Sequence, residues 1–365
     1  MNILFVTDLY PVKSDEKTTP RTLLAFVEEW KKMGHNVDIL KPNFILNSFL
    51  RGKPFYKSGQ YEDVFNVNYW TPFLGDVKSK LPNLQKYDIV VAHMPSGILF
   101  ADKLGLPFVA GIHNSDIEVL TNPLYKIHFK PRLEKALKNA RAIACRSFVL
   151  QDKLLKLYPE FEEKTFVAPS GIDEKAAKQL GSEAARLLDA KQNEKHSADT
   201  NFSRFTSHVS PIKVITCAHF KKRKNIDKVI KACKGLEGFE LTVIGDGKER
   251  KNLEKIDKNV VFTGGLPHDE VLAKMRESDV FVLPSVGETF GMVYLEAMAS
   301  GCITVCTKGD GIDGIIKNGE NGFLTEPKVE NIIETLLNIK RLDDKKLEAL
   351  SINSFSTICE YTSTK

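Results

Sequence analysis

The sequence predicts an α/β protein of two doubly wound domains, each a parallel sheet covered by helices on both faces. Three observations carry that expectation: a length of 365 residues, apolar runs that alternate with amphipathic stretches in both halves, and a polar, aperiodic interruption between them. At roughly one to two hundred residues per domain, the length asks for two cores. In the first half the runs are NILFV from Asn2, NVDIL from Asn36, DIVVAH from Asp88, PFVAGIH from Pro107, ARAIACR from Ala140 and TFVAP from Thr165. Continuous Val, Ile and Ala runs joined by crossovers mark strands buried on both faces. The stretch after Thr19 starts a helix: Thr19 can cap it, Pro20 fits the first helical position, Leu23, Leu24, Val27, Trp30 and Met33 share one stripe, and Gly34 stops it.

The pattern fades over residues 174–210, read as the interdomain connection, and resumes from Pro211 with IKVITC, ELTVIG, NVVFTGG, DVFVLP and ITVCT between helical patterns. The expected units are a domain over 1–173, the connection over 174–210, a domain over 211–340, and a helical tail over 341–365 returning to the first domain. Sheets of this kind, facing one another, bring the carboxyl ends of their strands and their ligand loops to a shared cleft.

Composition narrows the function. Hydrophobic residues make up 42% and charged residues 27%, which argues against disordered, collagen-like and low-complexity classes. A net charge of +5, left from 52 cations and 47 anions, argues against a dedicated nucleic-acid binder. The six cysteines include no Cys-x-x-Cys pair, so reduced thiols in a cytosol are expected and no metal site. MNILFVTDLYP lacks a basic leader and meets Asp8 too soon for a signal peptide. No apolar run approaches the ~18 residues that span a bilayer. The expected location is cytoplasmic, with any membrane contact peripheral and on the inner face.

The most informative stretch is SVGETFGMVYLEAMASG, from Ser285 to Gly301, after the strand DVFVLP. It places Glu288 in a strand-to-helix loop and Glu296 within an otherwise apolar helix beginning near Phe290. Eight residues of helix span ~12 Å, too far for a shared-proton hydrolase pair. Between the acids, the backbone N–H groups of Thr289, Phe290 and Gly291 form a seat for phosphate at a helix N-terminus. A diphosphate flanked by two hydroxyl-rich rings, as in a nucleotide sugar, would engage all of them. Taken singly, Glu288 reads better as a helix-terminal charge and Glu296 as a surface ion pair; it is the carboxylate within an almost wholly apolar helix that favours a bound ligand. The second constellation is AHFKKRKNID, where Lys221, Lys222, Arg223 and Lys224 precede a helix starting near Asn225. Four cations there oppose the helix dipole unless an anion bridges them, although a bare lysine run is commonly a solvated loop.

In combination these segments resemble glycosyltransferase family 4, retaining enzymes of the GT-B fold, two Rossmann-like domains facing a central cleft. The match also rests on LTVIGDGKER, VVFTGGLPHDEVLAKMRESDVFVLPS and NGENGFL in the second half, and on GHNVDIL, PFVAGIHNSDIEVL and PSGID in the first. The resemblance makes the first domain the acceptor side and the second the nucleotide-sugar side. It gives Glu296 the ribose hydroxyls, Glu288 the donor sugar, and Lys224 with Arg223 the departing diphosphate. Gly264 to Leu266 meets the nucleobase, and His113 reaches the donor sugar from the first domain. His219 stands where the family often has Arg, which makes half of the phosphate clamp weaker or pH-dependent. The loop LYPVKSDEKTTPR has no Gly pair, and Asp313 and Gly314 follow where Pro-Glu is usual.

The implied activity is hexosyl or N-acetylhexosaminyl transfer from a nucleoside-diphosphate sugar, a UDP-sugar favoured, to a saccharide or lipid-linked saccharide in cell-surface glycan biosynthesis. The nucleotide sugar is a co-substrate, and no divalent metal is expected because no two aspartates stand two positions apart. A sugar-nucleotide epimerase and a catalytically silent binding protein share the architecture. The joint presence of Glu288, Glu296, Lys224 and His113 favours an enzyme. From Thr121 to Arg146 the chain carries seven Lys or Arg and one Glu beside Leu124, Tyr125, Ile127 and Phe129, which reads as a contact for an anionic membrane surface or as a solvated helix face.

Overall fold

The computed structural model describes residues 1–12, 21–44, 56–69, 83–170 and 211–361; the connection expected at 174–210 and the helix start at Thr19 and Pro20 lie outside them. The chain divides into two compact units, Met1–Arg146 with Leu150–Ala168 and Ser147–Val149 with Pro169–Lys365.

The first unit holds an eight-stranded sheet: β1 (Asn2–Val6), β2 (Asn36–Phe44), β3 (Gly59–Tyr61), β4 (Val64–Tyr69), β5 (Ile89–His93), β6 (Phe108–Ile112), β7 (Ala142–Cys145) and β8 (Thr165–Val167). Their order is β3-β4-β2-β1-β5-β6-β7-β8, parallel except for β3 against β4. Its helices are α1 (Arg21–Lys32), α2 (Met94–Leu104), α3 (Asn114–Thr121), α4 (Phe129–Asn139) and α5 (Phe148–Leu157). Strand β1 shows why the apolar runs had no polar face. Leu4 and Val6 enter one core, Ile3 and Phe5 another on the opposite side, and all four are buried.

Helix α1 buries Leu23 and Val27 and stops at Gly34 (φ +83°), where the His35 amide donates to the Trp30 carbonyl and the Gly34 amide to that of Lys31. These two bonds satisfy carbonyls that the helix end would leave open. Met33, expected on the apolar stripe, is 51% exposed because the helix ends before it. The hairpin of β3 and β4 has no counterpart in the sequence expectation. Arg146, counted with the basic segment, is instead 5% exposed, its Nη1 donating to the Ala168 carbonyl at 3.0 Å and its guanidinium 4.4 Å from the Phe26 ring centre. It belongs to the interior of the unit and not to a surface patch.

The second unit holds a six-stranded parallel sheet of β9 (Ile212–Cys217), β10 (Phe239–Ile244), β11 (Val261–Gly264), β12 (Val280–Leu283), β13 (Ile303–Thr307) and β14 (Phe323–Thr325), in the order β11-β10-β9-β12-β13-β14. Its helices are α6 (Ile226–Lys234), α7 (Arg250–Leu253), α8 (His268–Arg276), α9 (Met292–Ala299), α10 (Val329–Lys340) and α11 (Asp344–Glu360). Again both faces are covered: Phe281 and Leu283 point into one core, Val280 and Val282 into the other. Helix α11, expected as a tail returning to the first domain, gives Leu347 and Ile358 to the two cores of this second unit and packs on α9. Cys302, just before β13, and Cys306, within it, are buried free thiols. No helix among the described residues is long and apolar enough to cross a membrane.

Strand order reverses beside β1 in the first unit, between β1 and β5, and beside β9 in the second, between β9 and β12. At such a switch point neighbouring loops leave in opposite directions and open a crevice at the strand carboxyl ends.

One buried group makes a test of the first unit. Asp116, in the first turn of α3, is fully buried and accepts the His113 amide through Oδ2 at 2.8 Å. Burial lifts its carboxyl to about 8, aided by the charge of Asp8 and opposed by backbone N–H bonds. The native state therefore holds a proton that the unfolded chain releases, and stability falls as pH rises from the ordinary carboxylate range toward about 8. Asp116→Asn keeps an acceptor and removes the titration. Denaturant unfolding at a series of pH values is expected to show a decline of up to about 1.4 kcal/mol per pH unit in the parent and a flatter line in the variant. Parallel lines would show that Asp116 is ionised in the folded protein.

Candidate active site

The second unit brings five strand-end loops together, and the two at its switch point carry the charged residues. After β9 the chain turns through a short 3₁₀ segment, Lys222–Lys224, and Asn225 adopts a left-handed conformation (φ +52°) before α6. Asn225 Nδ2 donates to the Pro284 carbonyl at 2.7 Å, and the Val286 amide to the Arg223 carbonyl at 2.8 Å. The cationic loop is thereby stitched to the loop after β12.

That second loop presents Glu288, whose side chain is 15% exposed. Its Oε2 accepts from Lys224 Nζ at 2.5 Å, Ser285 Oγ at 2.8 Å and Arg223 Nη1 at 3.1 Å. Burial alone would raise the Glu288 carboxyl, but the Lys224 ammonium, with Arg223 and the Ser285 hydroxyl, outweighs it and holds the group below its ordinary value. Glu288 is thus an ionised acceptor. The loop is fixed from below by Asp310, 8% exposed, whose carboxylate accepts the amides of Gly287 at 2.6 Å and Glu288 at 2.7 Å.

The four cations do not act as one cluster. Lys224 is 12% exposed and Arg223 43%, both on Glu288, while Lys221 and Lys222 are exposed. Helix α9 begins at Met292, two residues later than expected, with Gly291 as its cap at φ +88°. A Cβ on Gly291 would lie 2.4 Å from the Tyr294 ring, so this turn admits only glycine. Of the proposed phosphate seat, Phe290 puts its ring in the core at 3% exposed and has only its backbone to offer, beside Thr289 and Gly291. The Tyr294 hydroxyl donates to the Leu283 carbonyl at 2.8 Å, tying helix to strand.

Glu296 keeps a partly exposed carboxylate on the apolar helix α9, and Oε1 pairs with His268 Nε2 at 3.2 Å. His268 comes from the first turn of α8, directly after the Gly264–Leu266 turn. Gly264 accepts the Gly245 amide at 2.9 Å, joining the β10 and β11 loops, and Leu266 packs on the core. His219 is exposed, near Asp246, whose carboxyl the Gly247 amide and Arg250, and last His219, hold below its ordinary value. His113 belongs to the first unit, where it follows β6 and caps α3, half-buried. Ser285, Asp310, Asn225 and His268 carried no role in the sequence reading. The only signal for them was position at a strand carboxyl end or helix start.

Comparison with known proteins places these features in a family. The sequence model of the family described as Glycosyl transferases group 1 matches residues 198–356, and that of Glycosyltransferase Family 4 matches residues 20–176. An uncharacterised glycosyltransferase of Methanocaldococcus jannaschii is 26% identical over 76% of this chain and 74% of its own. A Bacillus subtilis glycosyltransferase ascribed to teichuronic acid biosynthesis is 23% identical over 90% and 86%. The crystal structure of Anabaena HepE in complex with UDP superposes with a TM-score of 0.68, at 17% identity, over 99% of this chain and 95% of that one, which shows a shared fold. The two family models account for most of the chain between them, and the chain belongs to glycosyltransferase family 4, as a glycosyltransferase of the GT-B fold.

Proposed function

We propose that this chain is a retaining glycosyltransferase that moves a hexosyl or N-acetylhexosaminyl group from a nucleoside-diphosphate sugar, a UDP-sugar favoured, to a saccharide or lipid-linked saccharide in cell-surface glycan biosynthesis. The observation that carries this reading is the Glu288 cluster: an ionised acceptor beside two cations, at a switch point, ahead of a helix N-terminus. Support for the nucleotide comes from the UDP held by Anabaena HepE, and for the acceptor class from the Bacillus subtilis relative.

In this reading Glu288 meets the donor sugar, while Lys224, Arg223 and the backbone of Thr289 to Gly291 balance the departing diphosphate. Glu296, with His268 beside it, takes the ribose. Gly264 to Leu266 takes the base, His219 is the second phosphate contact, and His113 is the histidine assigned to the donor sugar. The cations do the work a divalent metal does elsewhere, so no metal is required. A double displacement needs a carboxylate on the sugar face opposite the leaving group. Glu288 shares its loop with the phosphate seat, on the leaving-group side, so the acceptor attacks from that face and the diphosphate takes the hydroxyl proton. The segment leading into α4, with the helix's exposed face, adds a partner. Leu124 and Ile127, 87% and 80% exposed, stand beside Lys126, Lys130, Arg132, Lys135 and Lys138, which suits an anionic bilayer carrying a lipid-linked acceptor.

Glu288→Gln is expected to cut turnover at least ~100-fold while cooperative unfolding persists, and Glu296→Ala to raise the donor KM about tenfold with kcat nearly held. Near-normal turnover of the first variant, or unchanged donor KM in the second, would remove that residue from its role. Donor incubated alone should give hydrolysis at most, whereas an epimerised donor would mark an epimerase.

Activity is expected to survive EDTA, and NMR of the product to show the donor's anomeric configuration. Loss of activity restored by Mg²⁺ or Mn²⁺ would overturn metal independence, and an inverted linkage would overturn retention.

Reversing Lys130, Arg132, Lys135 and Lys138 to Glu is expected to release the protein from anionic vesicles at low salt and leave donor KM unchanged. A parent protein that ignores such vesicles would leave the segment a solvated face.

A further inference from the structure

We propose that Asp310 is a positioning residue that keeps Glu288 in place at the donor sugar once Lys224 and Arg223 have turned to the departing diphosphate. The inference rests on the reading of Glu288 as the residue that meets the donor sugar, and goes beyond it by assigning a role to a residue of the next loop in the sheet.

The side chain of Glu288 is held through one atom. Its Oε2 accepts from Lys224, Ser285 and Arg223, and two of those three donors are the cations that a diphosphate would claim. Asp310 holds the same residue by another route. It lies three residues beyond β13, the neighbour of β12, with which it pairs up to Leu283 and Cys306. Gly287 takes a left-handed backbone at φ +73°, and the amides of Gly287 and Glu288 both turn to the Asp310 carboxylate, at 2.6 Å to Oδ2 and 2.7 Å to Oδ1. Successive N–H groups in such a turn make a cradle for an anionic group, and here a carboxylate of the chain itself fills it.

The two loops also touch directly. Gly311 has φ +50°, and a Cβ there would lie 3.0 Å from the Phe290 carbonyl oxygen and 3.1 Å from Glu288 Cβ. The Asp310 loop is braced in turn: the Asp313 amide donates to the Asp310 carbonyl at 3.0 Å, and the Gly309 amide to Asp313 Oδ2 at 2.5 Å. With Asp310 only 8% exposed, little water competes for its two amide bonds. Those amides precede the phosphate seat at Thr289 to Gly291 and take no part in it, so a donor that draws the cations away leaves both bonds standing. The Asp310 carboxylate is taken up by the amides and acts on the donor only through Glu288.

The test uses the full chain, with each variant first shown to unfold cooperatively. In the parent, hydrogen exchange at the Gly287 and Glu288 amides is expected to be slow both without donor and with donor at saturation, and to quicken in Asp310→Ala. Turnover is expected to fall about 30-fold in Asp310→Ala with donor KM held within about threefold, and only about fivefold in Asp310→Asn, which keeps one acceptor for the two amides. In a Glu288→Gln background, Asp310→Ala is expected to cost less than about twofold more, because the side chain it positions is already lost. A residue that merely supported the fold would cost the same in both backgrounds. That result would overturn the proposal, as would fast exchange at the two amides in the donor-bound parent. Should Asp310→Ala fail to fold, Asp310→Asn carries the same comparison between backgrounds. Near-normal turnover in Glu288→Gln would overturn the donor-sugar reading itself, whereas a slow Glu288→Gln with additive losses would overturn the role of Asp310 alone.

Discussion

One oxygen atom, Oε2 of Glu288, holds the second unit's ligand loops in place. A parallel sheet whose strand order reverses must leave a gap where two neighbouring loops part, here after β9 and β12. The gap is bridged by polar contacts, the charged ones foremost: Lys224 and Arg223 reach across to a carboxylate that Ser285 also holds. Asp310 fixes the same loop through its amides, and Asn225 ties the cationic loop to Pro284. Such a network is worth most when complete, because removing one member leaves a poorly solvated charge without its partner. It also stores ready-made polarity at the position where, in our reading, a diphosphate departs.

The first unit fills its switch point differently. Around His93 and His113 it gathers aromatic edges, a buried guanidinium and a buried carboxyl that burial keeps protonated. The second unit's site is charged and partly open, whereas this one is buried, with two neutral imidazoles beside one guanidinium. A transfer that separates charge at one end of a donor needs compensating charge there, while hydroxyl recognition at the sugar needs fixed neutral donors and acceptors.

How much of this was legible in the sequence follows from how far each interaction reaches. Strands buried on both faces declared themselves, as in Val280 to Leu283, where all four side chains are buried. The β3–β4 hairpin did not, because fully buried Asn66 occupies a position that an apolar residue would mark, its Nδ2 donating to the carbonyls of Tyr56 and Lys57. Glu288, Glu296 and the cationic run stood out by place and by family likeness. Asp310 was silent, since it acts on a loop twenty-two residues earlier in the chain. The run of four cations read as one cluster, yet the tight 3₁₀ turn sends Lys224 inward and leaves Lys221 and Lys222 in solvent. His93 closed an ordinary apolar strand; its ring contact with His113 depends on the missing side chain of Gly111, which lies eighteen positions further along the sequence.

Among the described residues both sheets end in very short strands. The outermost members are β3, β8 and β14, of three residues each, and β11, of four. An exposed strand edge is a template on which another chain can add, and its reach grows with every unpaired amide and carbonyl. Edges this brief offer a neighbour one or two hydrogen bonds, too few to repay the entropy of association. With a net charge of only +5 to keep copies apart, the short outermost strands among the described residues limit the template for cross-molecule pairing more than electrostatic repulsion does.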